Sequence, residues 1–398
     1  MHAASVLQKC LPVVFNRMHA VRARALIGAV QALLTGRRLI LMDLARAWPG
    51  AERVRAPLKC LDRLLSNPHV QEQREALYAA MARWLIRSPT PLISIDWSDL
   101  HEDCRWQLLR AAIPVGGRSI TILEMVFPES MKGSPRAEKQ LLRKLQAMLP
   151  PTIKPILVTD AGFRAPWFRA VAKLGWHYVG RLRHRTRLQI DNGDWFDNRE
   201  LYRHATPRAQ RLRAVKMVES NPWTADLVLY KKARRGRIRL NRHGQRSRAH
   251  TSLKASRRER DPLLLVISPS LHALSATQLV SVYATRMQIE QSFRDLKCDR
   301  FGCAFYHSLT RQPGRIAILL LIHALATFVA WLAALSQTRA ALTQYGGVVS
   351  PRARPHYSAL RIGWEALRRR DPMCTPMQLR AVFTRPPAMF LTQLQIPS

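Results

Sequence analysis

Between Ile316 and Leu335 the chain contains no Asp, Glu, Lys or Arg, and ILLLIHALATFVAWLAAL fills most of that tract. A helix that is apolar all round has two possible environments, the core of a large protein or a lipid bilayer. The flanking cations Arg315 and Arg339 give no inside-outside bias, and His323 interrupts the tract. The core reading is therefore preferred, and it requires enough other apolar surface to enclose a helix on every side. With 398 residues, 47% of them apolar, the chain can supply it, and its length leaves room for two or three domains.

The surface must carry a large excess of positive charge. Lys and Arg number 64 against 26 acids, a formal net charge of +38. That excess calls for a polyanionic partner, nucleic acid before an anionic membrane surface, and it runs through the whole chain instead of forming one tail. The six cysteines are scattered without zinc-finger spacing, and Cys298 and Cys303 read as ordinary thiols. The N-terminus lacks the pattern of a signal peptide, and a reducing cytoplasmic location is expected.

Residues 1–88 read as a helical DNA-binding domain. LMDLARAW, the break Pro49-Gly50 and VRAPLKCLDRLLSN suggest two helices around a tight turn, with Arg53, Arg55, Lys59 and Arg63 on or near the second. The pair fits a helix-turn-helix reader or an ordinary hairpin with a solvated basic face. The character changes at Pro89. Three antiparallel strands, a helix from about Pro135 to Leu149, the strand PILVTD, the helix APWFRAVAKLGW and the strand HYVGRLR make a mixed α/β sheet over 89–185. Over residues 186–260, from Thr186 to Arg260, the pattern loosens and the positive charge climbs. The tract KKARRGRIRLNRHGQRSRAH, with Arg234, Arg235 and Arg237, is expected to follow phosphates as an exposed loop or hairpin, or to be disordered. The strand PLLLVIS and a helix from Thr277 to about Lys297 occupy 261–300, and 301–398 is helical again.

Two acids occupy costly positions. Asp96 lies inside an apolar strand between Ile95 and Trp97, with Ser94 and Ser98 on its face by strand alternation. Asp160 ends the buried strand ILVTD, where α/β sheets place their crevices, and Gly162 frees the chain to turn after it. On the helix, Tyr283, Arg286, Glu290 and Lys297 fall within a stripe of roughly 60° at about 100° per residue. That stripe is either a solvated ladder of ion pairs or a phosphate-facing site. Carboxylates of this kind suit Mg2+, and two such ions can activate an attacking oxygen and stabilise a leaving one. Arg286 and Lys297 would hold flanking phosphates, and Tyr283 would position backbone or sugar.

The blocks SIDWSDL, LVTDAGF and YATRMQIEQSFRDLK resemble the three catalytic blocks of the insertion-sequence-4 family of bacterial DDE transposases. The last contains that family's signature, here Tyr283, Arg286, Glu290 and Lys297. GRSITILEMVFP, PWFRAVAKLGWHYVGRLR, IAILLLIHALATF and LRIGWEALRRR extend the likeness, to the Tn-ten-type branch, over nearly the whole chain. The resemblance implies a ribonuclease-H-like mixed-sheet α/β core with a basic β-rich insertion at 186–260 and helical flanks. Asp96, Asp160 and Glu290 would be its catalytic acids and the ligands of two Mg2+ ions, with Mn2+ as a substitute. It implies cut-and-paste transposition through a DNA hairpin, acting on terminal inverted repeats and target DNA. A homodimer is expected in the synaptic complex. In relatives a Trp that helps hold a flipped base begins the strand before the signature helix. Here Leu263 stands at that place, and Trp223 in the insertion is the candidate substitute. A ribonuclease-H-like nuclease without strand transfer and a non-catalytic DNA-packaging protein are the competing readings.

Overall fold

The computed structural model describes residues 3–231, 241, 244–250, 252–253, 261–335 and 357–368. Six helices come first: α1 Ala3–Cys10, α2 Pro12–Phe15, α3 Ala20–Gly36, α4 Leu41–Arg46, α5 Arg55–Leu65 and α6 Pro68–Leu85. Strands β1 Leu92–Asp99, β2 Trp106–Pro114 and β3 Ser119–Pro128 lead to α7 Pro135–Met148. Then come β4 Ile156–Thr159, α8 Ala165–Lys173, β5 His177–Arg181, β6 Arg187–Gln189, β7 Phe196–Asp197, β8 Gln210–Met217, β9 Trp223–Tyr230 and β10 Leu263–Ile267. Helices α9 Ala276–Ala284, α10 Met287–Lys297, α11 Pro313–Leu335 and α12 Ala359–Arg368 complete the described chain. The α/β class with a mixed sheet is the one the sequence predicts.

The chain forms two compact units. One comprises the residues up to Ile153 together with those from Arg286 onward, and the other is Lys154–Thr285. In the first, β1, β2 and β3 are an antiparallel meander, and Gly116 and Gly117, both at positive φ, make the turn between β2 and β3. Helix α11 packs against α3, α5, α6, α12 and β3, and every residue from Ile316 to Leu335 is buried. It has the length and apolarity of a membrane span, yet its surface is covered by protein. Each buried Leu or Phe side chain of such a helix contributes roughly 1.5–3 kcal/mol relative to exposure. Gly363 lets α12 close on it, since a β-carbon there would lie 1.7 Å from the Ala330 carbonyl oxygen.

The second unit holds a sheet in the order β4-β5-β10-β9-β8-β6-β7. β4 and β5 run parallel, joined through α8, and the other pairings are antiparallel. The strands between residues 187 and 230 therefore continue the same sheet as β4, β5 and β10. Arg234, Arg235 and Arg237 lie outside the described residues.

One sequence expectation needs correction. The helix predicted from Thr277 to Lys297 is two helices, broken at Thr285 and Arg286. At the break the backbone N–H of Thr285 reaches Val282 O, three residues back, and its hydroxyl donates to the same carbonyl at 2.7 Å. Ile289 N likewise bonds Arg286 O. A side chain that bonds back into the preceding turn competes with the helical ladder and interrupts it.

Candidate active site

In the first unit, strand β1 and helix α10 bring together residues far apart in sequence. Asp96 is buried, as its apolar strand predicts, and its Oδ1 accepts from Trp97 N at 2.8 Å. Arg286, the N-cap residue of α10, donates from NH1 to Asp96 Oδ2 at 3.2 Å and from NH2 to Glu290 Oε1 at 2.5 Å. One planar guanidinium thus engages two carboxylates, a geometry that a lysine ammonium does not reproduce. The Arg286 and Asp96 side chains are each 11% exposed, whereas Glu290 retains 41%.

Lys297, two turns beyond Glu290 on α10, meets the same strand further along. Its Nζ donates to Ser98 Oγ at 2.6 Å and to Asp99 O at 2.9 Å. The ammonium also lies over the rings of Phe293 and Tyr306, at 5.8 and 5.4 Å from their centres. Burial pushes its pKa down to about 8, opposed by the nearby Asp99 carboxylate and reinforced by Arg110 and Lys132. Lys132 in turn pairs with Asp99 Oδ1 at 2.7 Å. Hydrogen bonding from Lys132 and Gln107, together with the Lys132 and Lys297 charges, outweighs the opposing desolvation and holds the Asp99 carboxyl below its ordinary value.

A charged row that the sequence reading did not single out crosses the meander here. Asp96 stands opposite Arg110 on β2, and Arg110 opposite Glu124 on β3. Arg110 and Glu124 are essentially unexposed. Arg110 Nε donates to Glu124 Oε2 at 2.8 Å, and Tyr78 OH to Glu124 Oε1 at 2.6 Å. The signal was present: both are lone charges inside apolar strands, the pattern that singled out Asp96.

Asp160 and Tyr283 belong to the second unit. Asp160 follows β4, and its Oδ1 accepts from Gly162 N at 2.8 Å. Gly162 does not occupy the left-handed region. A β-carbon there would sit 3.0 Å from Asp160 Oδ1, so the carboxylate would have to give by a few tenths of an ångström. Tyr283 is half-buried on α9. Tyr283 lies on α9, and Glu290 and Lys297 lie on α10 with Arg286 as its N-cap; Thr285 and Arg286 between the two helices both keep right-handed helical angles.

Leu263 opens β10 opposite Tyr230. Trp223 stacks on Phe168 with ring centres 6.0 Å apart and planes 17° from parallel, and the Arg169 guanidinium lies 5.6 Å above it. Trp223, Phe163, Arg164, Arg181 and Arg183 border a cleft of ≈ 300 Å³ in the second unit. In the helical N-terminal region, α4 and α5 flank the Pro49-Gly50 turn, with Gly50 at φ +71°. Arg53, Arg55, Lys59 and Arg63 are all exposed, while Pro57, Leu61, Leu64 and Leu65 form the buried face of α5.

Asp96 and Glu290 offer hard oxygen donors and already share one cation, so their chemistry suits a divalent metal such as Mg2+. Among the described residues no group of three or more His, Cys, Asp or Glu is assembled to hold a metal. The pair in the first unit supplies two acids of a candidate ligand set. For both to face a metal, Arg286 must release at least one of them.

Residues 87–328, well over half of the chain, match the sequence profile of the transposase DDE domain family. No curated protein matches the chain. A solved structure of a piggyBac transposase synaptic complex with hairpin DNA aligns over 100% of this chain and 84% of its own, at 11% identity and a TM-score of 0.41. A likeness that distant assigns no residue a role.

Proposed function

Because the chain belongs to the transposase DDE domain family, we propose that it is an insertion-sequence-4-type enzyme of the Tn-ten branch with a ribonuclease-H-like core. It moves its element by cut and paste in the bacterial cytoplasm: each end is nicked, sealed as a hairpin, reopened and joined to target DNA. The observation that carries this reading is the shared guanidinium. Arg286 holds Asp96 and Glu290, acids 194 positions apart in the sequence, on its two terminal nitrogens.

Asp96, Glu290 and, by its motif, Asp160 would hold two Mg2+ ions, with Mn2+ as a substitute. When bound, these ions supply Lewis-acid polarisation of the scissile phosphate. Arg286 then moves from carboxylate to flanking phosphate, a transfer that its planar fork of donors suits. Lys297 is fixed by Ser98 and the Asp99 carbonyl and presents its charge to a second phosphate. Tyr283 positions backbone or sugar. Trp223, which borders the cleft lined by Arg164, Arg181 and Arg183, takes the extruded base in place of Leu263. The exposed cations Arg53, Arg55, Lys59 and Arg63, with Arg234, Arg235 and Arg237, bind duplex phosphates, and two chains join two element ends as a dimer.

Ligand softness provides the test. Asp96→Cys loses nicking of an element end with Mg2+ and regains part of it with Mn2+. Equal activity of the variant and the parent in Mg2+ would remove Asp96 from the metal site. Strand-transfer products on supercoiled target DNA separate a transposase from a simple nuclease.

A further inference from the structure

One aromatic residue beside Lys297, Tyr306, has no part in the function proposed above. It belongs to a short helical turn, Phe305–His307, that follows α10 within the first unit. Its two companions in that turn are committed elsewhere. Phe305 is fully buried with its ring 5.2 Å from that of His101, and His307 faces Asp299 at 3.6 Å. Tyr306 keeps 40% of its surface exposed, and its ring centre lies 5.4 Å from the Lys297 ammonium.

The connection that delivers Tyr306 is pinned back onto the end of α10. Gly302 N and Ala304 N both donate to Cys298 O at 3.1 Å, and Cys303 N donates to Asp295 O at 2.7 Å. Cys303 O in turn accepts from Leu39 N at 2.7 Å. A β-carbon on Gly302 would collide with the Asp295 carbonyl oxygen, so the chain doubles back closer than any other residue allows. Ala304 is held in the left-handed region at φ 54° and ψ 32°, a conformation an alanine keeps only where its surroundings impose it. Such imposed backbone gathers where a side chain must be aimed.

What Tyr306 is aimed at is a cation with capacity to spare. A lysine ammonium carries three N–H donors, and Lys297 gives one to Ser98 Oγ and one to Asp99 O. The third remains for a ligand. Lysine has a long, flexible stem, so two hydrogen bonds at the edge of a strand leave the head free to swing. The negative face of an aromatic ring restrains it by attraction, and Tyr306 adds such a face to that of Phe293.

We propose that Tyr306 is a positioning residue of the DNA-cleaving site that acts through Lys297: its ring confines the ammonium against β1 so that the remaining N–H meets the flanking phosphate. The proposal rests on the phosphate-binding role given to Lys297 above.

Nicking kinetics of the full-length parent, Tyr306→Phe and Tyr306→Leu on a duplex carrying the element end test it. Phenylalanine keeps the ring and should match the parent. Leucine keeps the bulk but offers no ring face. It should raise KM roughly fivefold with kcat little changed, because a flanking phosphate is held equally in the ground and transition states. Anisotropy of the same duplex, labelled with fluorescein and titrated without metal, completes a double-mutant cycle. Tyr306→Leu should weaken binding severalfold in the parent and have no effect in a Lys297→Gln background. A parent that binds but does not nick refutes the function proposed above, while the binding cycle still decides the role of Tyr306. Leucine equal to the parent, phenylalanine as weak as leucine, or an undiminished leucine effect in the Lys297→Gln background would overturn that role.

Discussion

Arg286 lies 3.2 Å from Asp96 although 190 residues separate them, and through its other terminal nitrogen it also holds Glu290. Two carboxylates side by side repel each other, and a guanidinium between them neutralises that repulsion in the metal-free chain. The same contact sets up a competition, because a metal that takes both acids must displace the arginine. The first two predictions follow from this.

Asp96→Asn and Glu290→Gln should each lower Mg2+-dependent nicking at least about 10²-fold, because each removes a charged donor from the reacting centre. Affinity for element ends should stay near that of the parent in a gel-shift titration. Full nicking by either variant would show that the acids are structural.

Arg286→Gln should bind Mn2+ more tightly than the parent in calorimetric titration, since the competing cation is gone, while nicking falls through loss of a phosphate contact. Weaker Mn2+ binding in this variant would mean that the arginine orders the acids for the metal.

The depressed pKa of Lys297 gives a pH signature. A lysine whose folded pKa is about 8 is protonated below that value and loses its charge as pH rises through it. Affinity for a phosphate held by this ammonium should therefore fall on the alkaline side, with Lys297→Arg moving that limb to higher pH. Folding linkage has its own sign. Between about 8 and the ordinary lysine value of 10.5 the unfolded chain binds the extra proton, so this group's penalty on stability is relieved as pH rises. A limb unchanged in Lys297→Arg would assign it to another group.

Glu124→Gln should destabilise the first unit by about 3–5 kcal/mol, because the buried Arg110 would keep its charge with no counterion. Chemical denaturation followed by tryptophan fluorescence measures this. A loss under about 1 kcal/mol would mean that water reaches the arginine.

With 64 basic residues, duplex affinity should fall steeply and linearly on a log–log plot against salt. Replacing Arg55, Lys59 and Arg63 together by Gln should flatten the slope by roughly three charges' worth if α5 follows the backbone. An unchanged slope would leave α5 as a solvated helix face.

Much was legible without coordinates, because some residues are costly wherever the chain puts them. An aspartate among Ile and Trp, or twenty residues without a charge, must be compensated by any fold, so Asp96 and the burial of α11 could be read directly. Local pattern also determined the meander, the β4-α8-β5 unit and the placement of Asp96 on a strand and Asp160 just beyond one, since periodicity and turn residues act within a few positions. What lay beyond reach was pairing across long separations. No local rule says that Arg286 meets Asp96, that Arg110 stands between Asp96 and Glu124, or that Lys297 is fixed by Ser98 and Asp99. The first and last exist because α10 packs on β1, and the second because β2 pairs with β1 on one side and β3 on the other. The break at Thr285 was missed because a hydroxyl's choice between solvent and its own preceding turn depends on tertiary surroundings. The surroundings of His323 and Thr327 are likewise a product of packing: the sequence determined that α11 would be buried, and only the neighbours that bury it decided that His323 Nδ1 and Thr327 Oγ1 would lack a partner.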